Sequence, residues 1–218
     1  MKHIKTCECI PSLSPVELKN APTLLFYAGD IALLKAQKNI SIIGSRNVSD
    51  KGIKRTRFIS EHLVNQNITI VSGLAQGVDT TAHSTALNSG GRTIAVIGTP
   101  IDQCYPKTNL ILQQEIMSHH LCISQFPEGS EVKPRNFVQR NLTMALISAA
   151  TIITEASEQS GTRHQGWETL RLGRKLFLME NLITESKISW AKEMLDEGAQ
   201  IITRDNYEGL IKEIPSIW

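Results

Sequence analysis

The chain has 218 residues, 41% of them hydrophobic and 20% charged, with a net charge of +2. That is an ordinary composition for a globular protein of one domain or one and a half, long enough to bury a sizeable core. So small a net charge argues neither for nor against nucleic acid, since only its local distribution matters. No run reaches membrane-spanning length, and the opening residues lack the apolar core of a signal peptide, so a cytoplasmic protein with no membrane partner is expected. The four cysteines (Cys7, Cys9, Cys104, Cys122) are scattered. Cys7 and Cys9 are not a Cys-x-x-Cys pair and have no matching second pair, so reduced thiols are expected, two of them buried, with no zinc or redox motif.

In chain order, residues 1–23 carry Pro11, Pro15 and Pro22 and predict a lead-in with one helical turn near 14–19. Residues 24–27 predict an edge strand, followed by a short helix over 31–36. Residues 39–43 form the first convincing buried strand, ending at Gly44-Ser45-Arg46. Ser49 is the expected N-cap of a helix over 50–66. That helix has an apolar stripe of Phe58, Ile59, Leu63 and Val64, and a basic first half (Lys51, Lys54, Arg55, Arg57). A strand over 68–71 ends at Ser72-Gly73 and leads to a helix over 76–88, closed by Gly90 and Gly91. Then come a strand over 93–97, a helix over 108–118 and a strand over 121–124. The proline-rich loop 125–135 is longer than usual for an α/β connection, which points to function. A helix over 136–147, a strand over 150–154, a second long loop over 155–161 and a helix over 163–172 follow. The pattern closes with a strand over 175–178, a helix over 187–197, a strand over 199–203 and a helix over 206–212.

Strands alternate with helices and are continuous apolar runs, which calls for an α/β fold: a Rossmann-like open parallel sheet with helices on both faces. Residues 1–38 are expected as an N-terminal extension packing on a core domain over 39–218. In a parallel sheet the carboxyl ends of the strands share one edge, where open α/β folds bind ligands. Gly44, Ser45 and Arg46, the stretch Ser72 to Asp79, Gly98-Thr99, Glu155 and Ser160-Gly161-Thr162 converge there. Gly73 and Gly77 would let a phosphate approach the backbone, and the helix that follows would present its N–H groups. Arg46 adds a planar fork for phosphate oxygens. Asp79 and His83, spaced i, i+4, share a helix face and are read as supports for that turn.

Lys133, Arg135 and Arg140 flank Phe137, a pattern suited to a backbone-tracking groove with a base-stacking ring, or to a core ring with arginines that cap helices or sit in solvent. His164 either faces the ligand edge or lies in a solvated first turn. Glu155 is left with three roles: binding a ribose hydroxyl, acting as a base, or holding Arg46. No G-x-G-x-x-G follows a strand and no G-x-x-x-x-G-K-[ST] is present, which argues against a nicotinamide enzyme or a phosphate-loop ATPase.

Taken together, these motifs resemble the DNA-processing protein A (DprA, also called Smf) family, in order from about Asn20 to Ala199. The pieces are Ala21-Pro22, Leu25 to Asp30, Ile43 to Arg46, Val71 to Asp79 with Ala82-His83, and Gly90 to Val96. They continue with Ile101-Asp102, Tyr105-Pro106, Asn109, Asn136-Phe137, Arg140-Asn141, Glu155-Ala156, Ser160-Gly161 and Gly173-Arg174. The resemblance implies a Rossmann-like core that binds single-stranded DNA in a positively charged pocket, usually as a homodimer, without a cofactor, metal or chemical step. It also implies a role in DNA uptake and transformation or in recombination, through loading of the RecA recombinase. Carried over residue by residue, it assigns DNA or phosphate contact to Gly44, Ser45, Arg46, Ser72, Gly73, Gly77, Phe137, Arg140 and Asn141. Lys133, Ser160, Gly161, Thr162 and Arg163 complete the expected contact set, with Asp79, His83 and Glu155 supporting it.

Two departures stand out. Leu142 replaces the second arginine of the family's Arg-Asn-Arg, making Arg163 or His164 the candidate replacement. Arg163-His164-Gln165-Gly166 stands where many members have a Thr-Ala helix start. The winged-helix domain that many members carry is not expected here, nor is an N-terminal helical DNA-binding domain. The alternative reading is a nucleotide-binding or nucleotide N-glycoside-hydrolysing enzyme of the related LOG type, with Gly161-Thr162 and Glu155 or Glu168 at the nucleotide. The Pro-Gly-Gly-x-Gly-Thr signature of that group is absent.

Overall fold

A computed structural model describes residues 2–10, 13–35, 38–186 and 188–215. The first elements are β1 (Lys2–Lys5), α1 (Thr6–Cys9), α2 (Pro15–Asn20) and β2 (Leu24–Gly29), then a 3-10 turn over Ile31–Lys35. The central part is β3 (Asn39–Gly44), α3 (Asp50–Asn65), β4 (Thr69–Ser72), α4 (Val78–Asn88), β5 (Thr93–Ile97), α5 (Leu110–His119) and β6 (Leu121–Ser124). Next come α6 (Pro134–Leu146), β7 (Ala150–Glu155), α7 (Thr162–Arg171) and β8 (Lys175–Met179). The described chain closes with α8 (Asn181–Thr184), α9 (Ser189–Asp196), β9 (Gln200–Ile202) and α10 (Tyr207–Lys212). Pro11, Ala36 at the expected end of the first short helix, and Lys187 at the expected start of a later one lie outside the described residues.

Among the described residues nine strands form one sheet in the order β1-β2-β6-β5-β4-β3-β7-β8-β9. From β6 to β9 every pairing is parallel, as the continuous apolar strands require. The departure is at the other end, where β1 pairs antiparallel with β2 and β2 antiparallel with β6. Residues 24–27 were expected at an edge. They lie one strand in, because Lys2–Lys5 adds itself outside them. That short strand has no apolar pattern and is exposed, so backbone pairing alone defines it.

Helices cover both faces. Ile40, Ile42 and Ile70 pack under α3, α4 and α10 through Ile59, Leu63, Ala82, Ala86 and Ile211, and α5 extends that layer over β5 and β6 with Ile116. On the opposite face Ile43, Val71, Ile153 and Leu178 meet α6 and α9 through Met144, Leu146, Trp190 and Met194. Cys9 and Cys122 are the buried thiols. Proceeding outward from β3, the chain runs through β4, β5 and β6 on one side and β7, β8 and β9 on the other. The sheet therefore changes direction between β3 and β7, and the carboxyl ends of those two strands open a crevice.

Candidate nucleic-acid interface

That crevice is a cavity of about 690 Å³, lined by Gly44, Ser45 and Arg46 after β3, by Ala75 and Asp79 after β4, and by Tyr105 after β5. Lys133, Phe137, Arg140 and Asn141 line it from α6 and the loop before it, and Ser157, Ser160, Gly161, Thr162 and Gln165 from the end of β7 and the start of α7. Its volume suits a nucleotide-sized group. Three cations, Arg46, Lys133 and Arg140, face one carboxylate, Asp79, among the described lining residues.

The exposed end of this cavity is a stacked platform. The Arg46 guanidinium carbon stands 5.8 Å from the centre of the Phe137 ring. The Tyr105 ring lies 5.3 Å from Phe137, tilted by 54°. Arg46 is exposed, Phe137 is half-buried and Tyr105 is 54% exposed. A cation over one aromatic face, continued by a second ring, suits bases and the phosphates that join them. Lys133 lines the mouth and pairs with Glu131 at 2.7 Å.

The buried end is built differently. Arg140 is 5% exposed, with its Nη1 3.9 Å from Asp79 Oδ2 and 2.9 Å from Met144 Sδ. Its Nε is buried without a partner. Burial holds the Asp79 carboxyl above its ordinary pKa, against the pull of Arg140. Asp79 also accepts a hydrogen bond from the Ala75 N–H at 3.3 Å.

The turn after β4 shapes the site as well as lining it at Ala75 and Asp79. Gly77 has φ +79°, and a Cβ there would stand 2.3 Å from the Ser45 carbonyl oxygen. The first helical N–H, of Val78, donates to that same carbonyl at 3.1 Å. Gly77 therefore ends the turn, and α4 begins at Val78 rather than 76. A Cβ on Gly73 would fall 1.2 Å from Arg140 Nη1. Ser72 is fully buried and donates to the Ile42 carbonyl at 2.7 Å. Ser72 and Gly77, expected as contacts, stand outside the cavity lining and their turn braces the Gly44-Ser45-Arg46 loop, with the first α4 N–H group spent on protein, while Gly73 lines a small adjoining pocket with Arg46, Phe137 and Arg140. Leu74 holds a left-handed φ of 57°, uncommon for a residue with a branched side chain. Asn109 secures it, donating from Nδ2 to the Leu74 carbonyl at 2.9 Å and to Thr80 Oγ1 at 2.8 Å.

His83 is fully buried and does not line the cavity. Its Nδ1 lies 2.7 Å from Thr93 Oγ1, and burial pushes its pKa down to about 3. Glu155 has chosen a role outside its three expected ones. Its carboxylate accepts from the Ser49 N–H at 2.7 Å and the Ser49 hydroxyl at 2.6 Å, with Arg55 at 3.9 Å. Ser49 in turn accepts from the Gly52 N–H at 3.0 Å. Glu155 thus locks the N-cap of α3, the helix that follows the Gly44-Ser45-Arg46 loop. Arg163, expected at the ligand, is exposed on the first turn of α7 and is not among the lining residues. His164 is likewise exposed and outside the lining. Ser160 and Thr162 do line it and hydrogen-bond to one another at 2.7 Å. Tyr105 and Gln165 received no role from the residues themselves. The position of residues 98–109 after a parallel strand was the available signal for Tyr105.

A family model for DNA recombination-mediator protein A matches residues 6–214. The chain belongs to that family. DNA processing protein DprA of Streptococcus pneumoniae is 38% identical over 187 residues, covering 86% of this chain and 66% of that protein. Protein Smf of Synechocystis is 35% identical over 193 residues, covering 87% of this chain and 48% of that protein. The chain therefore spans about half to two thirds of the length of these curated relatives. The X-ray structure of DprA from S. pneumoniae superposes with a TM-score of 0.84 at 34% identity, covering 98% of this chain and 74% of that one. The Helicobacter pylori DNA processing protein A, whose structure describes a single-stranded DNA binding mode of that protein, gives 0.82 at 27% identity, covering 98% and 95%. A molybdenum cofactor binding protein from Rippkaea orientalis, at 0.59 and 15% identity, shares the fold alone. No helix among the described residues is long and apolar enough to cross a membrane.

Proposed function

We propose that the chain is a single-stranded DNA-binding protein of DNA processing, acting without a chemical step. The observation that carries this is the Arg46–Phe137–Tyr105 platform at the mouth of a cation-rich cavity. Phosphates lie against Arg46 and Lys133, with unstacked bases on the rings. Duplex DNA, whose bases are already stacked, gains nothing from the rings. The relatives' names support the same reading. The enzymatic alternative places Glu155 or Glu168 at the nucleotide, and neither lines the cavity. Glu155 is instead committed to Ser49, and Glu168 pairs with Arg171 along α7. We extend the proposal to a cytoplasmic homodimer acting in DNA uptake or recombination with the RecA recombinase.

Fluorescence anisotropy with single-stranded DNA, duplex DNA and free nucleotides at two salt concentrations tests it. Single strands bind best, and affinity falls with salt as counterions are released. Arg46→Ala weakens mixed-sequence oligonucleotides by a common factor and lowers the salt slope by about one. Equal binding of single-stranded and duplex DNA, or an unchanged Arg46→Ala, overturns the assignment.

A further inference from the structure

The cavity has one wall with no charge. Its residues between 157 and 165 are Ser157, Gln159, Ser160, Gly161, Thr162 and Gln165. Glu158, in the midst of them, turns away to accept from the Ser189 N–H at 3.0 Å and from the Ser189 hydroxyl. The cations sit on the facing walls, Arg46 in the loop after β3, and Lys133 and Arg140 at α6.

Within the neutral wall Gln165 is 1% exposed, yet its Nε2 has no hydrogen-bond partner. Buried N–H groups are rarely left so, because the lost hydration is not returned. The neighbouring residue restricts relief by rotation of the helix: a Cβ on Gly166 would stand 2.7 Å from Met194 Cε, so α7 rests closely on α9. Thr162 Oγ1 accepts from Ser160, which leaves its own proton free to donate.

We propose that this wall is a base-reading subsite, where the Gln165 carboxamide pairs with the hydrogen-bonding edge of one nucleobase, adenine above all. The proposal rests on the single-stranded DNA reading above. A carboxamide shows one donor beside one acceptor, which matches N7 and the N6 amino group of adenine. A phosphate offers acceptors only and is better served by the cations opposite. Backbone and base of one nucleotide are thus divided between the two sides of the cavity, and the chain acquires a sequence preference.

The experiment compares oligo-dA, oligo-dT and oligo-dC of one length, at one salt concentration, on wild type, Gln165→Leu and Gln165→Thr, with a thermal melt of each free protein. Gln165→Leu weakens oligo-dA by about two- to tenfold, the range of one hydrogen bond, and oligo-dT and oligo-dC much less. Its melt is unchanged or higher, since the Nε2 group has no partner to lose. Gln165→Thr, smaller and still polar, shows the same selective loss and guards against a Leu variant that does not fold. Arg46→Ala lowers all three together. If the Gln165 variants change all three sequences equally, or none, base reading is overturned and the single-stranded DNA reading stands. A lower melt with unchanged sequence ratios marks the amide as structural and also overturns it. If wild type binds no oligonucleotide, both readings fall.

Discussion

The Arg140 guanidinium occupies the space a side chain at position 73 would need, with Nη1 only 1.2 Å from where a Cβ on Gly73 would lie. Gly73→Ala therefore has to push Arg140 off its place beside Asp79. We expect a loss of about 1–3 kcal/mol in urea unfolding, the scale of overpacking, together with weaker DNA binding. Arg140→Met removes the obstruction, so the double variant should lose less than the sum of the two single ones. Additive losses would show that the two residues are not coupled.

Phe137 and Tyr105 face one another across 5.3 Å. If both carry bases, alanine at either costs about 1–3 kcal/mol of oligonucleotide affinity, with little change in the salt slope, because no phosphate contact is lost. The Phe137 substitution should hurt more, since it also removes the surface under Arg46. Anisotropy titrations at several salt concentrations separate the stacking loss from an electrostatic one.

Glu155→Gln separates structure from chemistry. The carboxylate caps α3 through Ser49, so its loss should lower stability by about 0.5–2 kcal/mol, as losing a helix cap does. Incubation of wild type with nucleoside monophosphates should release no free base by chromatography. Release that vanishes in the variant would restore the enzymatic reading.

His83 makes stability depend on acid. Its pKa falls from 6.5 to about 3 on folding, because burial disfavours the charged ring. The unfolded chain therefore takes up a proton below pH 6.5 that the folded chain refuses, and stability is lost from about pH 6.5 down to 3. Between pH 7.5 and 5 this amounts to about 2 kcal/mol. His120, also held below its usual value by burial, acts in the same direction, and Asp79, held above its own, acts oppositely. Comparison with His83→Gln isolates the residue: the stability difference between the two pH values should shrink by about 2 kcal/mol in the variant.

The parts of the fold legible in the sequence were those set by local pattern. The runs 93–97 and 121–124 are apolar and β-branched enough to read as buried strands, and Ser49 signals the start of α3 because a cap is a local chemical event. What escaped depends on distant partners. Lys2–Lys5 is a strand only because β2 offers it a backbone. Arg140 reads as a surface cation until Asp79 is placed beside it. Of the two glycines after β4, Gly77 uses conformational freedom, at φ +79°, whereas Gly73 only makes room for the Arg140 guanidinium. Glu155 is legible at its strand end and Ser49 as a cap, but the bond between them is not, because it joins the end of β7 to the loop after β3, 106 residues apart in the chain.

The antiparallel β1–β2 pair has a consequence for the solution behaviour of the chain. Trimmed to start at residue 39, the molecule would keep its whole cavity but leave the outer backbone groups of β6 unpaired, from Leu121 to Ser124. An open, apolar edge of that kind recruits strands from other chains. Strands β1 and β2 thus act as a guard rail. They end the sheet in a short strand bearing Lys2 and Lys5, on which further chains find little to grip.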